Sequence, residues 1–345
     1  MDNIISKNIS TARVICILSL VYVHFPPFFG EIVEIHSFTE YLATLISNVI
    51  GRNSVPLLSV ISGYLIVKTF YKYDFKLLLK NKILTLLIPL VTWNCISFIK
   101  DLVINSSTIE NINALNYFFA IYDTPGIVPL YFLRDIFICV MLTPALIYIS
   151  TTLNTKITIL TLTLLSIFIT DSYIFINDAI LVFFFVGIVI AKKNINLKIF
   201  EGKYITFICL LCLLTIINIR IYITQYDSDI YINTALTTFA RFFGAIVFWN
   251  IACFLSKTTR IMKHSSIIFF TFCSHTIIIE IMWRIALRCD ITSMSYTYLG
   301  LFIISPVLVF IISQMIYKVM MVTFPKIEIM LTGKRSIKIL DSKGL

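Results

Sequence analysis

Apolar residues run along this chain in long unbroken stretches, without the period-two alternation of a half-buried strand. The stretches cover roughly residues 9–29, 40–67, 83–104, 128–150, 155–171, 176–191, 203–224, 233–255, 264–287 and 296–322. Most reach about 18 residues or more, the length that an ~30 Å hydrocarbon core demands of a helix. A lipid-spanning barrel would show alternation instead. The pattern predicts an all-α integral membrane protein, a bundle of about ten transmembrane helices. The pair at 155–171 and 176–191 is the shortest. The first stretch ends in Phe25-Pro26-Pro27-Phe28-Phe29, with no small-residue cleavage site, so it reads as a span and not as a signal peptide. No linker or low-complexity stretch interrupts the series. Residues 1–345 therefore read as one domain, with a short basic tail after about residue 323.

Charges between the apolar stretches set the orientation. Lys7; Lys68, Lys72, Lys76, Lys80 and Lys82; Lys156; Lys192, Lys193, Lys198 and Lys203; Lys257, Arg260 and Lys263; and the tail cations Lys318, Lys326, Lys334, Arg335, Lys338 and Lys343 all fall on one side. Glu31, Glu34, Glu40, Asp101, Glu110, Asp123, Asp171, Asp178, Asp227, Asp229 and Asp290 take the other, as do the few outer cations Lys100, Arg220, Arg284 and Arg288. The positive-inside rule then places both termini in the cytoplasm, as expected of a multi-pass protein of the inner (plasma) membrane.

Composition agrees. The 345 residues are 59% hydrophobic and only 13% charged, against about a quarter charged in soluble domains, and the mean hydropathy is +0.94. In a soluble protein the net charge of +10 would suggest nucleic acid. Here it is accounted for by topology, so membrane lipids and not nucleic acid are the expected surroundings. Of the eight cysteines most lie inside apolar stretches, and the Cys209–Cys212 CxxC sits on one of them, so they read as small hydrophobes. His24, His36, His264 and His275 are not at ligand spacing, and no metal or bound cofactor is implied.

Four cations remain within spans: Arg13, Arg52, Arg134 and Arg241. A charge at bilayer depth costs several kcal/mol, so such residues are candidates for a functional interior. Arg13 also has a plainer reading, snorkelling to the surface, and Arg134 has one in pairing with its neighbour Asp135. Arg52, between Gly51 and Asn53, reads as interrupting the second span, which is tolerated where a helix lines a cavity. Arg52 and Arg134 can then face one chamber.

Arg13 and His24 stand eleven residues apart on the first span. In a regular α-helix that is three turns plus about 20°, with a rise of about 16 Å, so both would lie on one face. An intramembrane histidine is the side chain best suited to move a proton near neutral pH. It serves equally as hydrogen-bonding glue between helices.

The stretch Arg13 to His24, a cation, ten intervening residues and then a histidine, resembles the opening of the membrane-bound acyltransferase-3 family. Three further segments occur in the family's order. Val55-Pro56-Leu57-Leu58-Ser59-Val60-Ile61-Ser62-Gly63-Tyr64 is similar to its second-span signature. Lys80-Asn81-Lys82-Ile83-Leu84-Thr85-Leu86-Leu87-Ile88-Pro89 resembles its basic run into the third span. Pro129-Leu130-Tyr131-Phe132-Leu133-Arg134-Asp135 is similar to its Leu-Trp-Phe-Leu-Arg segment. Ser274-His275 echoes a C-terminal family histidine. Two departures stand out. Where the family often carries two arginines three apart, this chain has Lys82 and Thr85, so one charge is missing. Tyr131 replaces the commoner tryptophan.

The resemblance implies acyl transfer, with acetyl-CoA as co-substrate, onto a hydroxyl of a bacterial surface glycan such as an O-antigen, capsule or exopolysaccharide unit, free or lipid-linked. A hydroxyl attacking a thioester needs a base, and a neutral histidine can serve, which makes His24 the candidate. Arg13 would hold anionic groups of the donor or stabilise developing negative charge. Lys72, Lys76, Lys80 and Lys82 offer sites for the donor's phosphates, or are ordinary topology charges. Ser62 and Tyr64 either line the donor or acceptor path or simply flank Gly63, whose own simplest role is close helix approach. Glu31, Glu34 and Asp135 are the carboxylates available to orient His24. The rival function is a transporter or flippase of a lipid-linked saccharide; inverted repeats would favour it, and none is detectable.

Overall fold

The computed structural model describes residues 3–28, 35–104, 113–169, 174–226, 229–258 and 265–333. Its fifteen α-helices, with no strand among the described residues, are α1 (Asn3–Leu20), α2 (Phe38–Ile46), α3 (Asn53–Phe70), α4 (Phe75–Lys82), α5 (Ile88–Ile104), α6 (Ala114–Phe119), α7 (Tyr131–Met141), α8 (Thr143–Thr152), α9 (Thr155–Phe168), α10 (Ala179–Lys192), α11 (Lys203–Tyr226), α12 (Ile230–Thr258), α13 (Ser265–Arg288), α14 (Tyr296–Thr323) and α15 (Pro325–Thr332). The all-α membrane reading holds. Among the described residues, seven continuous helical stretches are long and apolar enough to cross a bilayer, or eight if α7 and α8, bent by 59° at their junction, form one span. The two short stretches noted in the sequence become α9 and α10. At 14 residues each they extend only about 21 Å at 1.5 Å per residue.

Proline position explains two departures from regular winding. Ser47–Arg52 and Ile83–Leu87 are π-helical, joining α2 to α3 and α4 to α5 without a break. Each wide turn contains the residue four before a proline: Arg52 before Pro56, Thr85 before Pro89. In an α-helix the proline ring collides with that carbonyl and has no N–H to give it. Widening the turn by one residue relieves both problems. Arg52 thus does not interrupt the second span, as the sequence suggested; the 33-residue helix Phe38–Phe70 continues through it. At Pro306 inside α14 the solution differs, because the Ser305 hydroxyl donates to the freed Phe302 carbonyl at 2.7 Å. Many other hydroxyls are satisfied within their own helices, among them Thr11 on Lys7 O, Thr92 on Ile88 O and Thr271 on Ile267 O.

The chain divides into two compact units. In the first (residues 1–58, 196–263 and 275–313) α12 packs along both α1 and α11. Its aromatic core gathers Phe25, Tyr298 and Phe302, all nearly inaccessible, with Ile278 and Ile279. In the second (residues 59–195, 264–274 and 314–345) α10 is surrounded by α7, α8 and α9. Phe183, Phe184 and Phe185 are buried on successive faces of α10, as expected of a helix that is apolar all round. Gly63 of α3 lies against α10 at Gly187. A Cβ on Gly63 would come within 2.0 Å of Phe184 O, and one on Gly187 within 2.1 Å of Val60 O. Close approach is therefore what Gly63 provides. The segment after residue 323, read from sequence as a basic tail, begins with a packed helix. In α15, Leu331 and Thr332 are buried and the Trp93 indole donates to Leu331 O at 3.1 Å.

Candidate functional site

α1 does not continue as an α-helix to His24. It tightens into a 3-10 turn over Val21–His24. At 3.0 residues per turn and about 2.0 Å rise, the last four steps turn His24 by about 80° more than α winding would. His24 then lies about 100° around the axis from Arg13 and about 18 Å along it, so the single face expected from spacing alone is lost. The π segment holds this turn through the Ser47 hydroxyl, which donates to Tyr22 O at 2.8 Å. One step on, Ser54 of α3 donates to Gly51 O at 2.7 Å and to Cys16 O of α1 at 3.2 Å. Gly51 admits the contact: a Cβ there would approach Val23 Cγ2 to 2.5 Å and Val23 N to 3.1 Å. Beyond the turn, Tyr298 donates its hydroxyl to Pro26 O at 3.1 Å.

The rotation turns His24 toward α13. Its ring centroid lies 5.2 Å from that of His275, with the planes inclined by 58°. His275 is buried and His24 is partly accessible. Arg52, at the end of the π segment, is within electrostatic reach of the His24 ring. In the same segment Asn48, fully buried, donates to Thr44 O at 2.9 Å and accepts from Arg220 Nη1 at 2.9 Å. Arg220, which the sequence placed among outer-surface charges, is thus drawn into the interior of the first unit. Of the sequence candidates, His24 and Arg52 are brought together. Arg13 lies on the exposed side of α1.

The remaining candidates belong to the second unit. Arg134 Nη1 donates to Asp135 Oδ1 at 2.8 Å and also to Ile174 O, and Nη2 donates to Ile121 O at 2.9 Å. Asp135, completely buried, accepts from the Ile176 and Asn177 amides at 3.3 and 2.9 Å. These bonds tie two connecting segments to the start of α7. The plainer reading of Arg134, an ion pair with its neighbour, describes what it does, and Asp135 spends its oxygens on Arg134 and two amides. Ser62 and Tyr64 flank the Gly63 crossing, and the Lys68 ammonium lies 5.0 Å from the Tyr64 ring centre. Lys80 is exposed and Lys82 half-buried, just before the second π segment. Glu31 and Glu34 lie outside the described residues. Glu40, by contrast, is buried and committed to structure: it accepts from the His36 amide and the Ser293 hydroxyl, both at 2.9 Å.

The order Arg13, His24, Ser62-Gly63-Tyr64, Lys80–Pro89 and Arg134 on an all-helical membrane scaffold defines the class. An acyltransferase domain model of the acyltransferase-3 family matches residues 6–318, and the chain belongs to that family. It is 28% identical over 360 aligned residues to the succinoglycan biosynthesis protein ExoH of Rhizobium meliloti (strain 1021), an alignment covering 97% of this chain and 94% of that protein. No solved structure matches the chain.

Proposed function

We propose that the protein is a membrane O-acyltransferase that moves acetyl from acetyl-CoA to a hydroxyl of a bacterial exopolysaccharide or related surface glycan, assembled on a lipid carrier. The family and the likeness to a succinoglycan biosynthesis protein support the class of acceptor. The observation that carries the chemistry is the His24–His275 pair, one ring partly accessible and one buried, with centroids 5.2 Å apart. In the proposed step the acceptor hydroxyl oxygen attacks the thioester carbonyl and its proton passes to His24. The carbon–sulfur bond then breaks, and the departing thiolate takes up a proton, leaving an ester and free coenzyme A. His275 fixes the orientation of the His24 ring. Arg52 stabilises negative charge as it develops on the carbonyl oxygen. The Lys80–Lys82 segment binds anionic groups of the donor. The same reading takes the scaffold as ten spans of the inner membrane with both termini cytoplasmic, counting α9 and α10 as spans.

The test is transfer of radiolabel from acetyl-CoA into surface polysaccharide, comparing membranes that hold wild type or His24→Ala at matched levels. Label that depends on the intact histidine supports the reading. Equal labelling by both removes His24 from the chemistry. No labelling by wild type points to another donor or to saccharide transport.

A further inference from the structure

The basic segment before α5 carries Lys82 but has Thr85 at the position where the family resemblance expects a second cation. The structure puts the end of the C-terminal helix there. Gly333 closes α15 with a left-handed φ of 66°, its N–H donating to Ile329 O at 2.9 Å. A Cβ on Gly333 would lie 2.7 Å from Thr85 Cα and 3.0 Å from Thr85 O. The helix end therefore rests backbone to backbone on the π turn Ile83–Leu87. The contact is anchored from within. Glu328 is buried, at 5% exposure, and its Oε1 accepts from the Tyr317 hydroxyl at 2.8 Å. Thr332 donates to Glu328 O at 2.9 Å, and Trp93 holds Leu331 O. Burying a carboxyl group is costly unless it is hydrogen-bonded, so this arrangement goes beyond what a helix resting on a membrane surface requires.

We propose that α15 is a clasp that fixes the Lys80–Thr85 segment for the phosphates of the acyl donor, with Gly333 and Glu328 as positioning residues. The inference rests on the reading of Lys80 and Lys82 as donor contacts. Lysine is a flexible point charge that gives up side-chain freedom on gripping phosphate. With one cation fewer, donor affinity depends more on a backbone already in place.

The experiment measures KM and kcat for acetyl-CoA with the purified full chain in lipid vesicles. Gly333→Ala, strained by its φ and crowded against Thr85, is expected to raise donor KM fivefold or more, with kcat within twofold of wild type. Glu328→Ala is expected to do the same, while Glu328→Gln, whose amide oxygen still accepts from Tyr317, stays within twofold. A chain ending at Gly333 keeps the clasp but lacks Lys334, Arg335, Lys338 and Lys343, and its donor KM is expected within twofold of wild type. Lys82→Gln runs in parallel. If it raises donor KM and Gly333→Ala does not, the clasp is refuted alone. If Lys82→Gln leaves donor KM unchanged, the donor-site reading fails first. A fall in kcat at unchanged KM for Gly333→Ala, or a KM rise in the chain ending at Gly333 equal to that of Gly333→Ala, also overturns the proposal.

Discussion

Replacing Gly63 by alanine tests the packing on which the second unit depends. The new Cβ would meet Phe184 O at 2.0 Å, Phe184 C at 2.8 Å and Ile188 N at 3.2 Å. All three are backbone atoms of α10, which cannot swing aside as a side chain tip can. Relief requires α3 and α10 to separate, at an overpacking cost of about 1–3 kcal/mol or more. Alanine also gains up to about 1 kcal/mol over glycine in helix propensity, so the net effect is a loss of about 1–2 kcal/mol. Gly300 in α14 is the internal control, because a Cβ there meets nothing within 4 Å. There the propensity gain stands alone, and Gly300→Ala should be neutral or stabilising. The assay is thermal unfolding of both variants in one detergent, followed by loss of the monodisperse chromatographic peak. Gly63→Ala should melt several degrees below wild type and Gly300→Ala at or above it. Equal melting of the two variants would refute the backbone-to-backbone contact between α3 and α10.

Three further outcomes follow from the contacts. Gly51→Ala presses on Val23 and should displace the 3-10 turn, lowering acyl transfer at least tenfold while the protein still inserts and elutes normally; unchanged turnover would show that the turn does not aim His24. Asp135→Asn leaves Arg134 without its buried counter-charge, a change that costs about 3–5 kcal/mol when one partner of a buried pair is removed, so it should melt well below wild type, and a wild-type melting point would remove the clamp assigned to it. His275→Gln keeps a hydrogen-bonding group behind His24 and should retain more activity than His275→Phe, with a kcat at least tenfold higher; equal kcat values would end the supporting role of His275.

Much of the scaffold was legible because lipid imposes a simple rule: apolar stretches long enough to cross become helices. The two shortest stretches became α9 and α10, each a helix of 14 residues. Winding was less legible. Arg13 and His24 share a face only if the helix between them is regular, and four residues of 3-10 winding remove that alignment. The π turns were readable in principle, since Pro56 and Pro89 each forbid the regular bond to the residue four before. Partnerships across the sequence were not readable. His275 stands 251 residues beyond His24, and nothing local to either says that α13 meets the end of α1. Arg220 looked like a topology charge because sequence cannot show Asn48 waiting within its reach. The packing of α15 escaped notice because the basic residues around it suggested a solvated tail.

The two prolines also act as phase setters. A wide turn inserts one residue that a regular helix would count in its periodicity, and one residue is worth about 100° of azimuth. On the helix Phe38–Phe70 the wide turn Ser47–Arg52 lies between Glu40 on α2 and Ser54 on α3. Pro56 therefore fixes the angle between the side of α2 on which Glu40 accepts from Ser293 and the side of α3 on which Ser54 donates to Cys16 O. Without it, the turn is free to rewind and one of those two sides must give up its bearing. The proline contributes no side chain to either contact, yet it determines that both can be made at once.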